Sequence, residues 1–316
     1  MLNKTAMGGG MFALLIISVI AVCIFYQLYQ ARSANVISFW QIEHVSQNKK
    51  IDHSYWQAVL SAYVTNEQQP NAKLAISAKR STHFNYAAVT VEHKAVLKKY
   101  LQKMQQLDPR DYPKNEQLAY WVNLYNALTV QLVLTHYPVA SIRTIASTDL
   151  GLLGEFIGPW DSVIATVAGI KLTLNQIEHG ILRAIWQDPR IHYVLNCASK
   201  GCPDITRQAF ASGQTNQQLD LAASRFINQD KAVRFSGDKL YLSKIYYWFE
   251  QDFGGNKTQV LSHLASHSKG ELSHRLARFS GDIIYQYNWL LNQPIKKSKA
   301  ILTKTHTQKV ITNYAY

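Results

Sequence analysis

The stretch IHYVLNCASKGCP, Ile191 to Pro203, carries a histidine and two of the chain's three cysteines, His192, Cys197 and Cys202. A cysteine becomes a nucleophile when a base within hydrogen-bond reach takes its proton and a third group orients that base. His192 and His179 are the candidate bases, and Glu178, Asn123 and Asn126 the candidate orienting groups, a pattern like the Cys-His-Asn sets of thiol hydrolases and transferases. Pro203 stiffens Cys202, which makes Cys197 the better nucleophile of the two. Other uses of the same residues stay open. A Cys197–Cys202 disulfide would exclude Cys197 as a nucleophile; it gains about 2 kcal/mol from so short a loop, and redox compartment weighs more than loop length in deciding whether it forms. A metal site on His192, Cys197 and Cys202 has looser spacing than the Cys-x-x-Cys knuckle of structural zinc, and no metal or other cofactor is expected. Buried, unreactive thiols are the remaining reading.

These residues must be carried by elements that the local pattern defines. Glu116–Pro138, EQLAYWVNLYNALTVQLVLTHYP, is apolar round most of its circumference, which predicts a central buried helix. Asn123 and Asn126 lie three apart on one face of it. A buried amide without a partner costs on the order of 1–3 kcal/mol, so either a crossing backbone segment or a polar site must satisfy them. The next helix, LNQIEHGILRAIW, opens on a Thr173/Gln176 capping box and sets Glu178, His179 and Arg183 beside its apolar stripe. Gly180 inside it costs about 1 kcal/mol relative to alanine and predicts the close approach of another backbone. Alternation over Ile191–Asn196 predicts a buried strand with His192, Val194 and Asn196 on one face. On such a strand His192 and Cys197 tend to opposite faces, which weakens that pair. Asn126, Arg183 and Asn196 are candidate binding groups. Helices over Ser54–Val64, Val91–Leu107, Thr215–Asn228 and Lys244–Phe253, with hairpins turning at Ala168-Gly169 and Gly237-Asp238, complete an α+β fold. The expectation is a single domain, mainly helical, with β-hairpins and one buried strand.

Met11–Tyr29 contains no charged residue. As a helix at ~1.5 Å per residue it reaches roughly 29 Å, the thickness of a bilayer core. The expected organisation is a flank at 1–10, a transmembrane anchor or uncleaved signal at 11–29, a linker helix at 30–50, the folded domain at 51–293 and a basic tail at 294–316. A short flank before a long C-terminal domain points to export of that domain. The net charge is +13 over 316 residues, but lysine and arginine are dispersed rather than gathered on one element, so nucleic acid is not an expected partner. No acidic residue follows Asp282, and the lysines at 296, 297, 299, 304 and 309 suit contact with an anionic surface, where each is worth about 1 kcal/mol at a charged membrane.

The motifs AYWVNLYNALTVQLVL, YPVASIR, Pro159-Trp160, LTLNQIEHGILR, DPRIHYVLNCASKGCP, LSKIYYWFEQDFGG and YNWLLN occur in this order over Asp52–Asn292. In this the chain resembles the domain-of-unknown-function 547 family. It departs from the family pattern at Asn288, where a Tyr-Asp-Trp run usually supplies an acid. The resemblance implies an exported or membrane-linked bacterial protein and no settled activity; in a Gram-negative source, the export that the short flank points to sets the domain on the periplasmic side of the inner membrane.

Overall fold

The computed structural model describes residues 37–42, 49–66, 81–145 and 158–294. The expected membrane segment at 11–29 and residues 295–316 of the basic tail lie outside them. Among the described residues no helix is long and apolar enough to cross a membrane.

The larger of two hydrophobic cores is built round one long helix. The first helix, α1 (Ser54–Tyr63), begins where the Asp52 carboxylate accepts a hydrogen bond from the Ser54 amide at 2.9 Å. The lead-in expected to be helical is not so where it is described. It has a 3-10 turn at Ser38–Gln41 and an irregular stretch at 49–53, where Asp52 accepts from the Ser54 amide at the start of the helix. In α2 (Val91–Gln105), capped by Thr90, residues Leu97, Tyr100, Leu101 and Met104 turn inward. In α3 (Lys114–His136) every residue from Glu116 to Val130 is buried, which is the all-round burial that its sequence requires. Two short strands, β1 (Val64–Asn66) and β2 (Thr82–Phe84), pair antiparallel at its side.

The hairpin of β3 (Val163–Val167) and β4 (Ile170–Thr173) turns at Ala168 and Gly169, both with positive φ. The capping box that follows forms in both directions, Thr173 N donating to Gln176 Oε1 at 2.9 Å and Gln176 N to Thr173 Oγ1 at 3.1 Å. The helix is widened into a π segment at Gln176–Leu182 before it continues as α4 (Arg183–Trp186). Gly180 meets the backbone that its position predicts: Ile37 N donates to its carbonyl at 2.9 Å.

Ile191–Asn196 is not a strand. Pro189–Tyr193 forms a 3-10 helix, and the chain then turns irregularly toward Cys197. The cause is local. Asp188 accepts from the Arg190 amide at 2.9 Å, Pro189 supplies a preset φ at the first helical position, and the Arg190 guanidinium folds back onto Asp188 at 2.6 Å. The same three residues at Asp108-Pro109-Arg110 make the same turn with the same contacts. Two occurrences of Asp-Pro-Arg therefore override an alternation that suits a strand.

The smaller core gathers α5 (Thr215–Ile227), the hairpin of β5 (Val233–Ser236) and β6 (Lys239–Ser243), and α6 (Ile245–Trp248). A 3-10 turn at Glu250–Phe253 ends at Gly254, and α7 (Lys257–His267) and α8 (Glu271–Ala277) follow. The last strand, β7 (Ile283–Gln286), joins β6 in parallel, a pairing outside the hairpin expectation. Residues 287–292 then cross back to the larger core. Gly201 N donates to Asn288 O, Lys200 N to Leu290 O, Asn292 N to Ala198 O, and Phe84 N to Asn292 O. At this crossing a Cβ on Gly201 would lie 2.8 Å from Asn288 N and 2.9 Å from the Tyr287 ring. Gly201→Ala is expected to lower stability by about 2 kcal/mol, as overpacking a tight site does, read as a shift of the urea midpoint. An unchanged midpoint would show that the crossing is looser than described.

Candidate functional site

The two carboxamides of α3 are claimed by backbone. Asn123 Nδ2 donates to Phe210 O at 2.8 Å while its Oδ1 accepts from Phe210 N at 2.9 Å. Asn126 Nδ2 donates to Val194 O and its Oδ1 accepts from Asn196 N, both at 2.8 Å. Asn196 repeats the device, donating to Pro203 O at 2.7 Å and accepting from Ala198 N at 2.9 Å. Each of these side chains uses both ends of its amide on main-chain groups, and none of them hydrogen-bonds an imidazole.

Four of the sequence candidates do converge. Arg183, with its side chain 2% exposed, donates to both oxygens of Asp252, from Nε at 2.6 Å and from the second terminal nitrogen at 2.9 Å. Its remaining terminal nitrogen donates to His179 Nδ1 at 2.9 Å, so His179 is held as the Nε2–H tautomer. His192 Nε2 donates to Asp252 Oδ2 at 2.7 Å, and His192 Nδ1 faces Glu178 Oε1 at 3.9 Å. Tyr125 donates to the other oxygen of Glu178 at 2.9 Å. Phe249 stacks on His192 with ring centres 4.4 Å apart and lies under the Arg183 guanidinium.

Asp252 and Tyr125 escaped the sequence reading. A buried arginine needs a carboxylate, which is the signal that would have pointed to FEQDF. Burial raises the Asp252 carboxyl, but the His192 and Arg183 hydrogen bonds outweigh it and hold the group well below the usual carboxylate range. Burial pushes His179 down to about 4, helped by the Arg183 charge and opposed by Glu178.

Cys197 and Cys202 form a disulfide. Cys197 is partly exposed, and Cys202 is 1% exposed. The Tyr287 hydroxyl donates to both sulfurs, at 3.0 Å to Cys197 and 3.1 Å to Cys202, and the Cys197 amide donates to the Cys202 sulfur at 3.0 Å. Ser199 Oγ lies 3.4 Å from the Cys197 sulfur. The polar neighbours of Cys197 are thus Tyr287 and Ser199, with no hydrogen bond to His179 or His192. Tyr287, also missed in the sequence, keeps its proton because burial drives its hydroxyl well above the ordinary range, with the Glu178 charge adding to the shift. At the departure from the family motif, Asn288 Oδ1 accepts from the Leu290 amide at 3.0 Å and so shapes the chain.

A cavity of about 440 Å³ opens on the other side of Asn123 and Asn126. Trp56, Leu60, Val122 and Phe210 supply apolar walls, and Arg207 and Arg225 are exposed at it. Arg225 has no ion-pair partner among the described residues. Asp204, also at this cavity, is neutralised by Lys231 at 2.7 Å.

The depressed His179 pKa makes stability depend on pH. The unfolded chain, with histidine near ~6.5, takes up a proton before the folded chain does. The His179 contribution is therefore complete above about pH 6.5 and is lost as pH falls toward 4, by about 2 kcal/mol at pH 5. His53 and His263, also pushed down to about 4 by burial, add to the fall, so His179→Gln, whose amide oxygen still accepts from Arg183, is expected to reduce the fall in urea midpoint between pH 7 and pH 5 without abolishing it. An equal fall in the variant would contradict a neutral buried His179.

A family model described as "Protein of unknown function, DUF547" matches residues 109–227. The match takes in α3, the π segment, the cysteine loop and α5, and stops short of Asp252 and Tyr287. No curated protein and no solved structure matches the chain. Residues 109–227, which carry both carboxamide clamps and the disulfide, are thus similar to this family of proteins of unknown function.

Proposed function

We propose that the chain is an exported ligand-binding module of a bacterial envelope, anchored by residues 11–29, with its domain facing the periplasm and its basic tail near an anionic surface. The cavity between α1, α3 and α5 carries the binding reading. Its volume is within the ordinary range for small-molecule sites, ~300–1,000 Å³, and its lining sets apolar side chains such as Trp56, Leu60 and Phe210 beside polar and charged ones such as Thr82, Gln218, Arg207 and Arg225. The disulfide supports the export reading, since such bonds persist in oxidising compartments.

The rival reading, in which Cys197 attacks an acyl carbon, needs a free thiolate and a nearby base. The disulfide withdraws the thiolate, and His192 is committed to Asp252.

Apolar walls beside the exposed Arg207 and Arg225, the latter without an ion-pair partner among the described residues, suit a small amphiphile carrying one negative charge. Decanoate, kept below its micellar concentration, is expected to quench Trp56 saturably and to raise the melting temperature. Arg225→Glu is expected to weaken binding at least tenfold, about 1.4 kcal/mol. Unsaturable binding, or equal affinity in the variant, would overturn the cavity reading.

A further inference from the structure

A disulfide that serves only as a staple closes a loop that would otherwise be open, and sits among apolar atoms. The Cys197–Cys202 bond does neither. The loop from Val194 to Pro203 is already closed on itself by Asn196, pinned to α3 by Asn126 and strapped by the backbone of residues 288–292. The sulfurs meet three donors instead: the Tyr287 hydroxyl, the Ser199 hydroxyl and the Cys197 amide. Donors aimed at sulfur stabilise a thiolate when the bond opens. The two ends also differ. Cys197 is partly exposed, whereas Cys202 is buried and receives the amide bond.

We propose that this disulfide is redox-active and exchanges with an external vicinal dithiol, with Cys197 attacked and Cys202 leaving. One thiolate of the dithiol attacks the Cys197 sulfur. The bond between the cysteines breaks, and its electron pair leaves on Cys202, where the Cys197 amide and Tyr287 hydroxyl receive the charge. The second thiolate of the partner then attacks the mixed disulfide and releases Cys197. Two electrons and two protons pass from the partner, which becomes a disulfide, to the chain, which becomes a dithiol. Dithiol partners are favoured over monothiols because the second step is intramolecular. The loop needs no rearrangement, since its backbone partners do not involve the sulfurs apart from the Cys197 amide. This activity goes beyond the cavity reading and is independent of it.

The full chain, isolated without reductant, is expected to be two hydrogens lighter than the dithiol by intact mass. Millimolar dithiothreitol at pH 7 is expected to reduce it at a rate proportional to its concentration, with circular dichroism unchanged. Tyr287→Phe is expected to slow that reaction about tenfold and to shift the equilibrium about tenfold toward the disulfide, ~30 mV for two electrons. Oxidised glutathione is expected to form a mixed disulfide with Cys197 in Cys202→Ser, and with Cys202 in Cys197→Ser far more slowly. Reduction that occurs only as the chain unfolds would overturn the proposal, as would two thiols that fail to reoxidise or equal reactivity of the two single-cysteine variants. The wild-type rate and circular dichroism stand even if a variant fails to fold.

Discussion

The structure depends on one constraint: a buried segment without helix or strand must still pair its backbone groups. Val194–Pro203 lies against the central helix, and leaving its amides and carbonyls bare would cost on the order of 1–3 kcal/mol apiece. Carboxamides meet that demand. Each asparagine offers a donor and an acceptor that match the two sides of a peptide. Asn126 serves Val194 and Asn196, and Asn196 serves Ala198 and Pro203. The returning backbone of 288–292 serves Ala198, Lys200 and Gly201. The disulfide is thus set in a frame that already exists, and the polar atoms around its sulfurs are free to act on sulfur chemistry.

The second organising contact joins the two cores. Arg183 leaves the π segment on the side of the larger core and grips Asp252, which comes from the 3-10 turn of the smaller one. His192 and His179 complete its shell. A buried ion pair of this kind gives back in Coulomb energy roughly what desolvation costs, but removing one member is expensive. Its effect is to fix geometry: the bidentate fork sets how α4 and the Glu250–Phe253 turn face each other, and Phe249 is held over both the guanidinium and His192. The widened π turn places Glu178 and His179 beside this pair while the helix still packs its apolar stripe.

Much of this was legible in the sequence. All-round apolar character marked α3 as central, the Thr173/Gln176 box marked the start of the next helix, and turn residues marked both hairpins. The mid-helix Gly180 correctly called for a crossing backbone. The carboxamides of Asn123 and Asn126 were recognised as needing partners, and the plainer alternative, a crossing main chain, is what meets them. What failed was any inference in which a local pattern competed with a stronger one. Alternation in Ile191–Asn196 lost to the Asp-Pro-Arg turn, whose twin at 108–110 was the available clue. The partners supplied from far along the chain, Asp252 to Arg183 and Tyr287 to the sulfurs, leave no trace in local periodicity. They follow only from asking what a buried guanidinium or a buried sulfur pair must touch.

The central claim is that the cysteine loop is held as one unit by the Asn126 clamp and the frame around it. Amide hydrogen exchange in wild type and Asn126→Ala tests it most directly. The frame predicts that the amides of Asn196, Ala198, Lys200 and Gly201 lose protection together and by a common factor, because opening the clamp releases the whole segment. Loss of protection at Asn196 alone, with Ala198, Lys200 and Gly201 unchanged, would contradict it.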